Sequence, residues 1–507
     1  MRSNPTDSTT TTATEVLIVG AGPTGLTLAC ELARWGVAVR LIERRAAHHG
    51  ESRGKTLQPR SMEVLHDLGL ADRVLAEGQS HLVYRKYFEG AHAADSEPFA
   101  ERRPTPEEPY DSTVFLGQAR LEQLLRDRLA DHGGTVELGA ELAGFTQDAD
   151  GVTARLADGR TIRATHLVGC DGGRSTVRRA LGLAFEGRGE EEQAMVCGDV
   201  EAPGLSRDVW HQWFGPDGGL MLWPVPGTDS FQLQAAPERD PDGHPLPPSL
   251  AGFQRQFDRY ARLSGIRLAN PTWLSTWRVN VRMTNRLRVG RVLLAGDAAH
   301  VHPIAGGLGL NTGVQDAFNL GWKLALTIRH QAGPALLDSY EQERLPVAAD
   351  TLRITSEGLA RSVAAVRRPG NGVETALAPP VGLHYRWSPL AAGRADGPLA
   401  PGDRAPDGRC RDLLCREVRL FDLFAGPHFT LLSFGCPPPP LGPHTPVVDT
   451  HALTAPAPRA YGLGERGGLV LVRPDNHVAL LAEAADGESV RAYLDGLLGH
   501  QEEAGRT

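Results

Sequence analysis

The sequence predicts an α/β (α+β) chain: a unit built on buried parallel strands, a tryptophan-rich sheet between its two motifs, and a small α/β unit after both. Three observations predict this. An apolar strand breaks into spaced glycines and a helix within residues 15–44, and a second strand–acid–glycine–helix passage occupies 292–326. Between them lie alternating, tryptophan-bearing strand patterns. At 507 residues there is room for two or three domains, each with an ample core.

Taken in order, residues 1–14 are Ser/Thr-rich without an apolar segment, so a loose tail is expected and not a signal peptide. Val16–Val19 reads as a buried strand, followed at once by Gly20, Gly22 and Gly25. In that spacing the first glycine makes the tight turn and the second lets a pyrophosphate approach the backbone. The third lets the helix that starts near Thr24 pack on the strand. Val37–Ile42 forms the second strand and ends at Glu43, eighteen residues past Gly25, where a carboxylate accepts both hydroxyls of a nucleotide ribose. The same spacing recurs at Gly462, Gly464 and Gly467, but there a polar turn precedes it and a strand (468–472) follows, so that match is rejected. The uncharged run Val16–Cys30 is too short and glycine-broken to span a bilayer.

Arg60–Leu68 reads as a helix stopped by Gly69, residues 81–116 as strands leaving the nucleotide unit, and Leu121–Leu129 as a helix. Residues 135–168 read as strands with turns at Asp150-Gly151 and Asp158-Gly159, and 167–178 repeats the strand end, acid, glycines and helix start. Residues 187–288 hold five of the eight tryptophans: Trp210, Trp213, Trp223, Trp273 and Trp277. A tryptophan-rich sheet is either ordinary core or the wall of a site for a flat apolar molecule, and Trp210, Trp213 and Trp223 are the candidate wall residues. After Val292–Leu294 comes Asp297, then a Pro/Gly loop, then a helix from about Leu310, whose amides point at an electron-rich group. Helical pattern continues to about 367, 369–401 is a Gly/Pro/Ala-rich connector, and 402–500 is the small α/β unit.

The net charge of −8 suggests neither a nucleic-acid surface nor a polybasic membrane patch. Six cysteines are scattered without zinc or disulfide spacing and read as reduced thiols of a cytoplasmic protein. His300 and His302 lack a third ligand nearby and are read as loop-packing residues, so no metal is expected.

Three motifs in order carry a resemblance: G-A-G-P-T-G with Glu43; D-G-x-x-S-x-x-R at Asp171, Gly172, Ser175 and Arg178; and G-D-A-A-H with G-L-N at Gly309, Leu310 and Asn311. Over roughly 15–360 the chain resembles the FAD-dependent aromatic hydroxylases of the p-hydroxybenzoate and phenol hydroxylase type. Residues 400–480 resemble the thioredoxin-like third domain of the polyketide-tailoring branch. The resemblance implies a Rossmann-like FAD-binding domain at 15–80, 117–186 and 289–368, and an antiparallel substrate-binding sheet domain at 81–116 and 187–288. A linker (369–401) and a thioredoxin-like domain (402–507) then follow.

It also implies roles. Glu43 would hold the AMP ribose of FAD, with Gly20, Gly22, Thr24, Gly25 and Arg44 as further cofactor-binding positions, Arg53 and Gln118 would touch the pyrophosphate and ribityl chain, and Asp297 the ribityl or pyrophosphate region. Arg53 also reads as a solvated loop arginine. Gly307 and Gly309 would shape the loop that brings the amides of Leu310 and Asn311 to the flavin's pyrimidine edge, where reduced flavin is negative. Asp171 and Arg178 would touch FAD and NADPH. Pro303-Ile304 replaces the usual proline pair, whose second carbonyl lies near flavin and substrate, and the two are the candidate catalytic positions.

The implied reaction is hydroxylation of an aromatic, polycyclic polyketide or phenolic substrate by O2 through a flavin 4a-hydroperoxide, with NAD(P)H as a transient cosubstrate. Alternatives are Baeyer–Villiger insertion or epoxidation on a related scaffold, an NAD-dependent dehydrogenase, or a non-catalytic flavoprotein. No nucleic-acid or membrane partner is expected, and a homodimer stays open. Cys410 and Cys415 have four residues between them, not two, so the third domain reads as structural.

Overall fold

The computed structural model describes residues 11–97, 102–302, 307–366, 383–393, 397–454, 459–463 and 467–498. The first sheet uses β1 (Thr11–Val19), β2 (Val39–Glu43), β3 (Val136–Leu138), β4 (Thr161–Gly169), β5 (Arg288–Val289) and β6 (Val292–Leu294). Their spatial order is β5-β6-β4-β1-β2-β3, with every neighbouring pair parallel except β5 and β6. A hairpin, Leu142–Gln147 with Val152–Leu156, adds antiparallel to β4. The helices are α1 (Pro23–Arg34), α2 (Gln118–Asp131), α3 (Leu308–Ile328) and α4 (Pro334–Val366), and α1 packs against α2 and α3. Both faces are covered, which is why Val16, Leu17 and Ile18 can be apolar in succession and fully buried.

Register places the site. Val19 pairs with Gly169 and Ile42, and Gly169 with Leu294, so β1, β2, β4 and β6 end at one level. The segments that leave those ends carry Gly20, Glu43, Asp171 and Asp297 to one carboxyl edge of the sheet. Strand β1 starts at Thr11, inside the expected loose tail, because Thr11–Thr14 pair with residues 161–164. A threonine run suits a half-covered strand. The rest of that tail lies outside the described residues.

The second sheet has eight strands, in order His300–Val301, Ala269–Met283, Glu186–Glu201, Ser230–Ala235, Gly218–Pro224, Val209–Gly215, Val83–Phe88 and Ala91–Ser96. It is antiparallel except where Val209–Gly215 meets Val83–Phe88. Helix Leu250–Ala261 covers its rear face through Phe253 and Phe257. His300–Val301 pairs with Met283 and Arg282, so the loop after β6 ties the two sheets together.

The third sheet, in order Ala392–Gly393, Val478–Ala482, Gly468–Val472, Phe429–Phe434 and Val448–Leu453, is mixed and flanked by helix Gly487–Leu498. The described residues thus form a mixed α/β fold with three main sheets. The described part of the expected connector is not loose: Tyr385 is buried, Trp387 donates to the Gln342 carbonyl at 3.0 Å, and Ala392–Gly393 is an edge strand. Its Gly/Pro content marks irregular backbone, and Tyr385, Trp387 and Leu390 anchor that backbone to its neighbours.

Candidate active site

A cavity of about 1840 Å³ opens at the carboxyl edge of the first sheet and runs under the second. A single drug-sized ligand needs roughly 300–1,000 Å³, so there is room for a dinucleotide and a second molecule. Two helices point their amino ends at it. Gly22 caps α1 and Gly307, with φ of 62°, caps α3, and neither helix has a side-chain cap. The first-turn amides therefore lack intrahelical partners and carry the positive end of the helix dipole. Helix α3 starts at Leu308, so the free amides are those of Gly307 to Leu310, a step earlier than expected.

Gly20, Gly22, Thr24, Glu43, Arg44, Arg53, Gln118, Asp171, Asp297, Gly307, Gly309 and Leu310 all line this cavity. Gly20 has φ of +104°, and a Cβ there would strike the Cys170 carbonyl, whereas Gly22 faces open space. Glu43 is aimed by two amides, from Ala21 (3.1 Å) and Arg45 (3.0 Å). Asp171 accepts from Thr176 and Val177 through Oδ2 and leaves a buried Oδ1 without a protein partner. Burial pushes the Asp297 carboxyl up, and His300 partly opposes this. Gln118 accepts from Gly54 N (3.1 Å) and donates to Glu122 (2.9 Å). Arg53 pairs with Glu51 at 3.1 Å, its side chain 34% exposed.

Three expected cofactor residues stand behind the wall. Gly25 packs α1 against the Gly20 carbonyl. Arg178 donates to the carbonyls of Ala298 (2.7 Å) and Gly173 (2.8 Å) and lies 3.7 Å from the Phe185 ring, so it ties the Asp171 turn to the loop after β6. Asn311 bridges Gln58 N, Thr56 O and Gly307 O, pinning the start of α3. Pro303 and Ile304 lie outside the described residues.

The far half of the cavity is aromatic and apolar, with Phe115, Trp210, Phe214, Met221, Trp273 and Trp277 on its wall. Trp213 and Trp223 are corrections to the expected wall. Side chains alternate along a strand, so Trp213 points to the rear of the sheet, stacked on Tyr87 at 5.1 Å and edge-on to Phe257. Trp223 is fully buried among Phe115, Trp210 and Val225, one layer beneath the surface.

Two features escaped the motif reading. His302 lines the cavity, and its Nε2 lies 2.9 Å from His300 Nδ1, whose Nε2 meets Asp316 at 2.7 Å; Asp316 also pairs with Arg344 at 2.7 Å. The histidines thus form a buried line, and among the described residues His302 Nδ1 has no partner. A carboxylate only accepts, so His300 donates through Nε2. The second feature is Lys55, also on the wall. The only signal for it was the scarcity of lysine.

An uncapped pair of helix ends, a carboxylate fixed by two amides at the end of β2 and an Asp171 oxygen without a described partner fit a flavin dinucleotide. Residues 13–355 match the FAD binding domain family and 399–500 the aromatic-ring hydroxylase C-terminal family. The chain is 40% identical to a flavin-dependent monooxygenase of Mycobacteroides abscessus, over 94% of this chain and 99% of that one. It is 38% identical to the 6-methylpretetramide 4-monooxygenase of Streptomyces rimosus, over 76% and 72%. A solved ternary complex of aklavinone-11 hydroxylase with FAD and aklavinone aligns with a TM-score of 0.80 at 30% identity, covering 96% of this chain and 99% of that one. The chain belongs to the FAD-dependent aromatic-ring hydroxylases. It is an enzyme, a flavin-dependent monooxygenase with FAD as its cofactor. Among the described residues no helix is long and apolar enough to cross a membrane.

Proposed function

We propose that this enzyme inserts one atom of O2 into an electron-rich ring of a polycyclic phenol of the aromatic polyketide type, with NAD(P)H supplying two electrons and water as the second product. One observation carries the reading: a single cavity joins the dinucleotide cradle to an aromatic chamber. The relatives that act on 6-methylpretetramide and aklavinone support the substrate class.

FAD, when bound, supplies the activation of O2. The chain's own residues do the rest. Gly22 and Glu43 would hold the nucleotide half, and the uncapped start of α3 would favour negative charge on the group bound there. Trp210, Trp273 and Trp277 orient a flat substrate and keep water out. His302, backed by His300 and Asp316, offers a polar ring edge at the cavity wall. The one credible fingerprint is taken by FAD, so NAD(P)H binds transiently.

Anaerobic stopped-flow mixing of the FAD-loaded enzyme with NADH or NADPH, with and without polycyclic phenols, tests this. Bleaching of the flavin absorbance that a phenol accelerates is expected. Reduction that no phenol alters, with no oxygen uptake on re-aeration, would count against it.

A further inference from the structure

Only three of the chain's 53 basic residues are lysines: Lys55, Lys86 and Lys323. Arginine keeps its charge everywhere, whereas a buried lysine can lose its proton. In a chain that chooses arginine almost throughout, a buried lysine asks for a reason. Lys323 has one, since its ammonium donates to Glu343 at 2.6 Å and Asn319 at 2.9 Å. Lys86 lies on Val83–Phe88, away from the cavity wall.

Lys55 has no such reason. It lines the cavity, yet its amino nitrogen is covered and makes no hydrogen bond among the described residues. The nitrogen rests 4.3 Å from the centre of the Trp210 ring and 5.6 Å from that of Trp223. The titratable groups facing it are Cys197 and Asp199 of Glu186–Glu201. Asp199 is committed to the Ser52 amide at 2.7 Å and to the Ser52 hydroxyl, and burial pushes the Cys197 thiol up to about 11. No carboxylate therefore bonds the amine. Burial brings Lys55 down to about 7, with Cys197 and Asp199 opposing.

We infer that Lys55 is the residue that recognises the substrate's acidic hydroxyl. Its neutral amine takes the phenolic proton, so an O–H bond breaks as an N–H bond forms. The ammonium, steadied by the Trp210 face, then holds the phenolate oxygen until the proton returns. No oxidant or reductant enters this step. A phenolate ring is richer in electrons than a phenol, which favours attack by an electrophilic oxygen. The inference deepens the hydroxylase reading of the same cavity and rests on it.

Enzyme carrying [ε-13C]lysine and bound FAD has three side-chain resonances to follow against pH, and Lys55→Met assigns one of them. The expected Lys55 signal titrates near pH 7, and saturating 1,8-dihydroxyanthraquinone keeps it in the ammonium form about one pH unit or more higher. Lys55→Arg, which keeps a cation but cannot release its proton, is expected to retain FAD absorbance but to melt lower, because the same burial disfavours a fixed charge. Its kcat falls roughly 100-fold and loses the limb that rises through pH 7. A Lys55 signal in the ordinary lysine range, or one that the anthraquinone leaves unmoved, overturns the inference. So does wild-type kcat with an unchanged pH profile in Lys55→Arg. If the wild type consumes no oxygen with NAD(P)H and any phenol, the hydroxylase reading fails, while the resonance titration still decides the role of Lys55.

Discussion

Glu43 shows how one carboxylate is prepared for a ligand. The amides of Ala21 and Arg45 hold its two oxygens in place, so binding loses little side-chain entropy. Charge-assisted hydrogen bonds contribute about 1.5–3 kcal/mol, so Glu43→Gln should weaken FAD binding about 10- to 100-fold. Quenching of flavin fluorescence on titration into apoprotein measures this, and unchanged affinity would remove Glu43 from the cofactor site. At this scale the motif glycines and acids were legible because spacing alone dictates where a dinucleotide meets backbone. The tryptophans were legible as a group but not singly. Trp210 and Trp213 stand three apart on one strand, an odd separation that sends them to opposite faces, and only the completed sheet says which face is wet. Lys55 follows no motif and needed the folded cavity to be noticed.

Helices α3 and α4 hold the loop after β6 by charge. Burial by itself would raise the Asp316 carboxyl, but Arg344 and His300 outweigh it and hold the group well below the usual carboxylate range. Removing one member of such a buried set costs about 3–5 kcal/mol. Asp316→Asn should therefore lower the melting temperature sharply and lose FAD, since Gly296 N and His300 both lean on that carboxylate. Thermal melts with flavin absorbance check this, and a wild-type melt would contradict it. The pH dependence follows the same group. A depressed carboxylate stabilises the fold above its unfolded value near 4 and loses that contribution as pH falls. Burial also depresses His302, and it brings His166 and His477 down to about 4, so the unfolded chain takes up protons near pH 6.5 that the native chain refuses. Both effects have one sign, and the Glu31 carboxyl, raised to about 7 by burial, and the raised Asp199 and Asp297 carboxyls offset only part of them. Melting temperature should fall as pH drops from about 6.5 toward 4, and a flat profile over that span would refute the assignment. Element types were legible from periodicity, while ends were less so: α3 begins two residues before the expected Leu310 because Gly307 adopts a left-handed turn there.

Across the whole molecule, the nucleotide unit and the third unit share one core, in which Trp322 of α3 meets Phe429 edge-on at 5.6 Å. A buried charge set crosses the same boundary. Glu343 of α4 accepts from Lys323 (2.6 Å) and from Arg473 (2.7 and 2.9 Å), and Asn319 of α3 donates to Asp475 (2.9 Å). Glu343→Gln leaves two buried cations short of a partner and should cost about 3–5 kcal/mol. Calorimetry of the wild type should show the two units unfolding in one transition, and two separate transitions would contradict a shared core. The third unit was legible as a separate stretch of pattern. Its union with α3 and α4 was not, because Trp322, Glu343 and Arg473 are far apart in sequence and each alone reads as ordinary. The most direct test of the central claim is turnover under 18O2 with NAD(P)H and a polycyclic phenol, followed by mass spectrometry. One labelled oxygen on a ring carbon of the product, absent when the label is supplied as water, is the predicted result. A product without label from 18O2, or NAD(P)H oxidation that leaves the phenol intact for every phenol offered, would contradict the account.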